Sequence, residues 1–307
     1  MRLLAALGGN ALLRRGEPAG AEAQRRNVAL AAASLAPLAR EHELIVTHGN
    51  GPQVGLLALQ SEAYEGVEPY PLDVLDAESE GMVGHLLEVA LRNELPGREV
   101  VTVLTEVVVG ADDPAFTHPS KPIGPVYGAQ EARRLAAERG WTVGPDGDSF
   151  RRLVPSPEPL AIAELRSLRS LVDGGAIVVC GGGGGIPVTV DAEGRMTGVE
   201  AVVDKDLTAA LLARRLGADL LLLLTDVDAV RLDWSGARSL SLHRTDPAQL
   251  RGLGLAAGSM GPKAEAAARF VEATGARAAI GSLADAAALA EGTAGTQVAP
   301  AARPAAA

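Results

Sequence analysis

The chain has 307 residues, of which 47% are hydrophobic and 21% charged, the balance of a globular protein with one large domain or two small ones. Its formal net charge of -10 argues against a nucleic-acid or anionic-membrane surface, because both need a concentrated basic face. The single cysteine, Cys180, excludes an internal disulfide and a cysteine-rich metal site. With no signal-peptide pattern and no long apolar run, we expect a cytoplasmic protein whose partner is a small solute.

Short apolar runs alternate with longer amphipathic stretches, a pattern typical of a mostly parallel sheet with helices on both faces. The predicted strands are residues 3–7, 44–47, 100–104, 177–180, 220–224 and 278–280. The predicted helices are residues 21–40, 53–62, 73–93, 159–172, 207–216 and 263–274. The sequence therefore predicts an α/β fold.

Residues 111–159 interrupt this alternation. They are rich in proline and glycine and are broken into pieces too short for a crossover unit. Such spans in a compact domain usually serve a function, so we expect a mobile lid outside the sheet, anchored by few contacts. Residues 299–307 are expected to form a disordered alanine and proline tail, which leaves residues 1–298 as a single domain.

Glycine-rich turns follow three predicted strands, at the carboxyl ends where an open parallel sheet binds ligands. They contain Gly8-Gly9-Asn10, His48-Gly49-Asn50-Gly51-Pro52 and the glycines from Gly181 to Gly185. Glycine lets backbone N–H groups approach an anion closely, and a following helix N-terminus adds a favourable dipole. One such turn alone is more often structural, but three together predict a polyphosphate site. The P-loop and dinucleotide-binding glycine patterns are both missing.

The chain contains only three lysines against 25 arginines, and each lysine stands in a dense turn motif. The motifs are Pro119-Ser120-Lys121-Pro122, Asp204-Lys205-Asp206 and Gly261-Pro262-Lys263. An ammonium group is a compact point charge suited to following a migrating phosphoryl group, whereas guanidinium is a planar fork. The pattern indicates a chemical need for lysine at these sites. The alternative is chance survival in a GC-rich genome.

Six motifs, in this order and at this spacing, resemble carbamate kinase. They are ALGGNAL (6–12), THGNGPQVG (47–55), PSKPIGP (119–125), VEAVVDKD (199–206), LTDVDAV (224–230) and GSMGPK (258–263). The resemblance covers roughly residues 3 to 298. It implies the amino acid kinase fold, a three-layer αβα sandwich with an eight-stranded, mainly parallel open sheet, a protruding subdomain and assembly as a homodimer. One departure is Glu106, where the family more often has glutamine.

The resemblance also implies an activity: reversible phosphoryl transfer between ATP and carbamate, giving ADP and carbamoyl phosphate. Mg²⁺ would be carried by the nucleotide phosphates, without dedicated protein ligands. Positioning and cations along the path catalyse such transfers. The catalytic set would be Lys121, Lys205, Asp204 and Asp206. The substrate and phosphate site would be Gly8, Gly9, Asn10, Gly49, Asn50 and Gly51, with backbone N–H groups from the glycines and side-chain amides from the asparagines. The nucleotide site would be Lys205, Thr225, Asp226, Val227, Met260, Gly261 and Lys263.

Several assignments have a second interpretation. Asp204 and Asp206 either hold the ammonium group of Lys205 or cap the helix that follows, and both roles can coexist. Asp226 fits a simple turn, and His48 fits either a carbamate contact or a turn-stabilising role. For the whole protein, the alternatives are another small-molecule kinase of the superfamily and a non-catalytic nucleotide sensor. The segment at 119–125 and the retained lysines favour carbamate kinase. Arginine breakdown and other sources of carbamoyl phosphate both fit the sequence.

Overall fold

A computed structural model of the chain describes residues 1–13, 17, 20–232, 240–256 and 260–301. Most of the predicted tail, from residue 302 onward, lies outside the described residues. The strands are β1 (Arg2–Leu7), β2 (Glu43–His48), β3 (Val100–Thr102), β4 (Glu106–Val108), β5 (Lys121–Tyr127), β6 (Thr142–Asp146), β7 (Ser149–Val154), β8 (Ala161–Ile162), β9 (Ile177–Val179), β10 (Ile186–Val190), β11 (Met196–Gly198), β12 (Leu220–Thr225), β13 (Val230–Arg231), β14 (Ser241–Leu242), β15 (Arg244–Thr245), β16 (Arg277–Ser282) and β17 (Thr296–Val298). The helices are α1 (Gly9–Leu12), α2 (Ala21–Glu41), α3 (Gly51–Ala63), α4 (Leu72–Glu94), α5 (Ala129–Arg139), α6 (Leu165–Asp173), α7 (Lys205–Leu216), α8 (Pro247–Gly252), α9 (Met260–Thr274) and α10 (Ala286–Glu291).

Strand β1 lies in the middle of an eight-stranded sheet with the order β15-β17-β16-β12-β1-β2-β9-β3. Neighbouring strands run parallel except β16 and β17, which are antiparallel. In β1, for example, Leu3 pairs with Leu220 on one side and Leu44 on the other. The strands are continuous apolar runs because a parallel sheet is buried on both faces. The predicted α/β fold with a mainly parallel sheet is confirmed.

A layer of helices covers each face of this sheet. On one face α6, α7 and α9 pack through a core that includes Leu212 and Phe270. On the other face α2, α4 and α10 pack through a second core that includes Leu35 and Leu87. Alternate residues of β1 enter the two cores, as the two-residue period of a strand requires. The molecule is therefore a three-layer αβα sandwich. Among the described helices, none has the length and apolar character of a membrane span.

A second, four-stranded sheet has the order β11-β10-β4-β8 and corrects one predicted helix. The helix expected over residues 159–172 begins only at Leu165, because Ala161 and Ile162 form β8 and pair antiparallel with β4. The N–H groups of Leu160 and Ala163 also donate to β4 carbonyls, at 2.9 and 3.0 Å. A short apolar run fits a strand or a helix equally well, and here the neighbouring strand decides.

The predicted lid segment contains a small folded unit. Strands β5, β7 and β6 form an antiparallel sheet in that order, and α5 contacts β6 and β7. Its base is anchored: Ile123 and Val154 join a buried cluster with Val54 of α3. A Cβ atom on Gly55 would lie 1.9 Å from the Cα atom of Gly124, so the two backbones are in direct contact. The expectation of few anchoring contacts is therefore wrong for the base, because a glycine pair lets a helix and a strand pack without side chains between them.

Candidate active site

The N-terminus of α7 carries the Asp204-Lys205-Asp206 motif. Asp204 precedes the helix, and its Oδ1 accepts hydrogen bonds from the backbone N–H groups of Asp206 (2.9 Å) and Leu207 (3.2 Å). These bonds satisfy first-turn donors that have no partner inside the helix. All three motif residues are buried. The cap therefore holds Lys205 and Asp206 in the first turn of the helix.

The three lysines of the chain meet at the two carboxylates of this motif. The Nζ of Lys205 lies 2.5 Å from Oδ1 of Asp206, and the Nζ of Lys263 lies 3.2 Å from its Oδ2. The Nζ of Lys121, from β5, lies 2.6 Å from Oδ2 of Asp204. Asp204 thus caps the helix as predicted, but the ammonium group it pairs with is that of Lys121. The predicted pairing with Lys205 is made by Asp206.

Burial and neighbouring charges set the ionisation of this cluster. Burial lowers the pKa of Lys205, and the ammonium group of Lys263 lowers it further, while Asp206 opposes both effects. Burial acts to raise the pKa of Asp206, but the two ammonium groups outweigh it and hold the pKa below its usual range. Asp206 is therefore ionised at neutral pH. Three ammonium groups face two carboxylates, so the cluster favours an anionic ligand.

The glycine turns after β1 and β2 touch each other beside Lys205. A Cβ atom on Gly49 would lie 3.0 Å from the backbone nitrogen of Gly9 and 3.5 Å from Cδ of Lys205. A Cβ atom on Gly8 would lie 3.7 Å from the Cα of Thr225, at the end of β12. Glycine permits these approaches because it has no side chain. The predicted phosphate turns, a predicted lysine and the start of the predicted nucleotide turn are thus neighbours at the carboxyl edge of the sheet.

The backbone N–H groups of these glycines divide into two kinds. The N–H of Gly8 donates to a β12 carbonyl at 2.9 Å, and that of Gly49 donates to a β1 carbonyl at 3.0 Å. These two continue the strand ladders and do not point at an open site, which differs from the expectation. Gly9 and Gly51 begin α1 and α3, where first-turn N–H groups lack a helical partner. They are better placed to face an anion.

The two asparagines of the turns differ in what the structure describes. The side chain of Asn10 lies outside the described part of the chain, although its backbone belongs to α1. Asn50 is buried, and its Nδ2 donates to Oδ1 of Asp76 at 3.1 Å and to Oγ of Ser79 at 2.8 Å. Both amide hydrogens therefore point toward α4, and Asn50 anchors the turn after β2 to that helix.

His48 ends β2 and is fully buried. Its Nδ1 donates to the carbonyl of Gly49 at 3.2 Å, which favours the turn-stabilising interpretation. Burial lowers the pKa of His48 to about 4, with a further contribution from the charge of Lys205. The imidazole is therefore neutral at neutral pH. Its Nε2 has no hydrogen-bond partner among the described residues.

Glu80 of α4 lies behind the turns after β3 and β9. Its Oε1 accepts from the N–H of Gly182 at 2.8 Å, and its Oε2 accepts from the N–H of Thr105 at 3.2 Å. Burial raises the pKa of Glu80 to about 8, although these hydrogen bonds oppose the shift. One buried carboxyl group therefore joins two of the loops at the carboxyl edge of the sheet.

The remaining predicted nucleotide residues lie at the end of β12 and the start of α9. Thr225 is half-buried and its hydroxyl donates to Oδ1 of Asp226 at 3.1 Å, while Val227 follows in the same turn. Met260 packs against the hydrophobic core, and the N–H of Gly261 donates to the carbonyl of Ala256 at 2.9 Å. These contacts fix the first turn of α9, which carries Lys263 into the lysine cluster.

Comparisons with known proteins show which family the chain belongs to. Residues 1–282 match the amino acid kinase family. A carbamate kinase of Rhizobium meliloti is 53% identical over 96% of this chain and 92% of that protein, and one of Haemophilus influenzae is 50% identical over 97% and 96%. The structure of carbamate kinase from Giardia lamblia bound to AMP-PNP superposes with a TM-score of 0.88 at 37% identity, covering 97% of this chain and 98% of that one.

The chain belongs to the carbamate kinases of the amino acid kinase family. For this member of the carbamate kinases, sequence reasoning missed the buried polar residues of α4, namely Asp76, Ser79 and Glu80. The stretch DAESE (76–80) is typical of a solvent-exposed helix face, so these side chains were not predicted to be buried. The sequence signal that could have found them is Gly84, a glycine inside the same helix. In the structure, a Cβ atom on Gly84 would lie 2.3 Å from the side chain of Thr102 in β3. Such close packing indicates that this face of α4 is turned inward.

Proposed function

We propose that the chain catalyses reversible phosphoryl transfer between ATP and carbamate, giving ADP and carbamoyl phosphate. The observation that carries this proposal is the meeting of Lys121, Lys205 and Lys263 at one pair of carboxylates beside the glycine turns. Three ammonium groups from three distant segments form a positive site for a polyphosphate and for the group in transit. A non-catalytic nucleotide sensor has no need of cations placed along a transfer path.

The chemical step follows from this placement. An oxygen of carbamate attacks the γ-phosphorus of ATP, a new P–O bond forms, and the bond to the β–γ bridging oxygen breaks with its electron pair leaving on ADP. Negative charge spreads over the three oxygens of the moving phosphoryl group. We assign Lys205 and Lys121 to those oxygens and Lys263 to the β- and γ-phosphates. Ion pairs already orient these ammonium groups, so little reorganisation is needed during the reaction.

The glycine turns and the end of β12 complete the proposed site. Gly9 and Gly51 supply backbone N–H groups at helix N-termini, while Gly8 and Gly49 keep the space clear of side chains. Asn10 remains proposed for the phosphate site. The turn at 225–227 and the start of α9 at Met260 and Gly261 are proposed to hold the adenine and ribose.

Mg²⁺ is proposed to arrive with the nucleotide. Among the described residues, no group of three or more His, Cys, Asp or Glu side chains has the arrangement of a metal site. The carboxylates nearest the proposed phosphates, those of Asp204 and Asp206, are engaged by lysines. With both carboxylates engaged by lysines, the site fits an Mg²⁺ ion held by phosphate oxygens and water. When bound, Mg²⁺ neutralises phosphate charge and orients the oxygens.

Residues 111–159 are proposed to act as a lid within a single domain of residues 1–298. Lys121 lies at the edge of this segment and reaches the motif at α7. Carbamate and carbamoyl phosphate are labile in water, so closing the segment over them suppresses side reactions. The segment contains the sheet β5-β7-β6, so such a lid would move as a folded unit on the base anchored at Gly55 and Gly124.

A homodimer in the cytoplasm is also proposed. The segment that joins α3 to α4 exposes large apolar side chains, with Tyr64 67%, Val67 56% and Tyr70 53% exposed. Exposed apolar groups of this size favour burial against another subunit. The apolar positions of residues 54–59 and 83–91 are also proposed for this interface: Val54 and Leu87 are buried within the chain, whereas Val89 is 45% exposed. Sedimentation at micromolar concentration is expected to show a dimer, and a strict monomer would refute it.

The lone, buried Cys180 fits a reducing compartment.

One assay tests the activity. ATP formation from ADP and carbamoyl phosphate is measured beside ATP consumption with carbamate, aspartate, glutamate and acetate as acceptors. We expect ATP formation from carbamoyl phosphate and consumption with carbamate alone. Activity with an amino-acid carboxylate would favour another kinase of the superfamily. Nucleotide binding without turnover would favour a sensor.

A further inference from the structure

One turn of α4 presents three polar side chains to the interior of the protein. Asp76, Ser79 and Glu80 stand at positions i, i+3 and i+4, which places them on one face of the helix. Their exposures are only 1%, 0% and 1%. Buried polar groups destabilise a protein unless they are hydrogen-bonded, so the partners of these three residues show what the turn does.

The partners belong to three separate loops. Asp76 and Ser79 accept from the side-chain amide of Asn50, in the turn after β2. Glu80 accepts from the backbone N–H of Gly182, in the turn after β9, and from that of Thr105, in the turn after β3. Strands β2, β9 and β3 are consecutive neighbours in the main sheet. One helical turn therefore braces the carboxyl ends of three adjacent strands.

The braced loops also lie directly on one another. A Cβ atom on Gly183 would lie 2.1 Å from Nδ2 of Asn50, and one on Gly182 would lie 2.3 Å from Nε2 of His48. The hydroxyl of Thr105 accepts from the N–H of Gly181 at 2.9 Å. A displacement of any one loop is therefore transmitted to the turn after β2, which leads into Gly51 at the start of α3.

The nucleotide half of the site is held by other means. Lys205 and Lys263 are oriented by Asp206, and the turn at Thr225 follows β12 on the other side of β1. None of the hydrogen bonds that Asp76, Ser79 and Glu80 make with the loops reaches these groups. The brace therefore acts on the side of β1 opposite the proposed nucleotide turn, where carbamate has to lie to meet the γ-phosphate. We call this the carbamate side.

We propose that Asp76, Ser79 and Glu80 are positioning residues that set the geometry of the carbamate side of the site through Asn50, Gly182 and Thr105, without touching either substrate. The identity of the acceptor in this inference rests on the proposed function. The inference predicts that weakening the brace impairs use of carbamoyl phosphate more than use of ADP.

The kinetic test compares Glu80→Gln and Asp76→Ala with Glu88→Gln. Glu88 lies on the same helix and also accepts a backbone N–H, that of Thr102 at 3.0 Å, but it braces no loop of the site. Glu80→Gln keeps the side-chain volume and replaces one of two accepting oxygens with a donor. Asp76→Ala removes the oxygen that accepts from Asn50. In the ATP-forming direction we expect kcat/KM for carbamoyl phosphate to fall by about 10- to 100-fold, the scale for misplaced reacting groups. KM for ADP should stay within about twofold, the small change expected where binding contacts are untouched.

Amide hydrogen exchange supplies a second measurement that does not depend on activity. Glu80→Gln should speed exchange at Gly182 and Thr105, whereas Glu88→Gln should affect Thr102 alone. Wild-type protein that forms no ATP from carbamoyl phosphate overturns the proposed function, and the exchange pattern then decides the positioning role. The inference is overturned if the brace variants match Glu88→Gln in kinetics, if they impair ADP and carbamoyl phosphate equally, or if the loop amides keep wild-type exchange.

Discussion

The ammonium group of Lys121 lies 2.6 Å from the carboxylate of Asp204, a residue 83 positions away in the sequence. This ion pair joins the small antiparallel sheet to the N-terminus of α7. Asp204 uses its other oxygen to cap the helix, so one side chain fixes both the helix start and the lysine from the proposed lid. Removing the side chain of Lys121 or of Asp204 therefore tests whether the small antiparallel sheet and α7 act together.

Lys121→Ala is expected to lower turnover by about 10² or more, because it removes a cation from the developing charge of the phosphoryl group. The dissociation constant for ADP should change little, since Lys205 and Lys263 remain in place. Steady-state kinetics and equilibrium binding of ADP measure the two effects. Arg134→Ala is the matched control, because the ion pairs of Arg134 within the described part of the chain are with Glu131 and Glu138 of its own helix, in the same subdomain. Abolished ADP binding in Lys121→Ala would place Lys121 in a rigid nucleotide site.

The proposed lid is tested by hydrogen exchange of residues 111–159 with and without ADP and carbamoyl phosphate. In the free enzyme we expect low protection at the amides outside the β5-β7-β6 sheet, which stays hydrogen-bonded as the unit moves. Protection there should rise with both ligands bound, because closure adds contacts to the segment. Ile123 and Val154, at the anchored base, should be the best protected of the segment in both states. Protection equal to that of β1 and β12 in the free enzyme would contradict the lid.

Lys205→Ala is expected to lower turnover by roughly 10³ or more while the protein stays folded. The fold should survive because Asp206 keeps Lys263 as a partner. Lys205→Arg should restore little activity, since a planar guanidinium does not reproduce a compact ammonium group in a buried site. Turnover and circular dichroism of both variants provide the measurements. Near-wild-type turnover in either variant would remove Lys205 from the mechanism.

Asp206→Asn should destabilise the free protein by about 3–5 kcal/mol, because it removes the buried carboxylate between two ammonium groups. Thermal unfolding with and without ATP measures the effect. ATP should raise the Tm of this variant more than that of wild type, because its phosphates supply the missing negative charge. Asp191→Asn, which breaks an exposed pair with Arg195, is the control and should change the Tm little. Equal Tm values for the two variants would contradict the structural role of Asp206.

The stability of the protein should depend on pH through Glu80. Burial raises the pKa of Glu80 from 4.5 to about 8, so the folded chain binds this proton more tightly than the unfolded chain. The resulting stabilisation is complete below about pH 4.5 and is lost as pH rises toward 8, by at most about 1.4 kcal/mol per pH unit.

Glu80→Gln removes this titration. Denaturant unfolding of both proteins between pH 5 and 8 should show wild type losing stability relative to the variant as pH rises. Glu164, whose pKa burial and Glu106 raise to about 7, is present in both proteins, so the difference between them reports mainly on Glu80. A difference that stays constant over this range would show that Glu80 is ionised throughout.

The sequence by itself determined the elements whose signals are local. The apolar runs predicted six of the eight strands of the main sheet, all except β15 and β17. The glycine turns after β1 and β2 were expected at its carboxyl edge, where the structure has them. Asp204 was recognisable as a possible helix cap because capping involves residues two and three positions away. Such features depend on residues that are close in the sequence, so they can be predicted without knowing the fold.

Only the tertiary structure decided the contacts between distant segments. The pairing of Asp204 with Lys121, the pairing of β8 with β4, and the inward direction of Asp76 and Glu80 all depend on how separate elements pack. Asp204 and Asp206 both stand beside Lys205 in the sequence, which makes Lys205 the expected partner of each. In the structure Asp206 pairs with Lys205, whereas Asp204 pairs with Lys121 of β5. The sequence shows which groups could pair with a side chain, and the direction of its Cα–Cβ bond in the folded protein determines which of them it reaches.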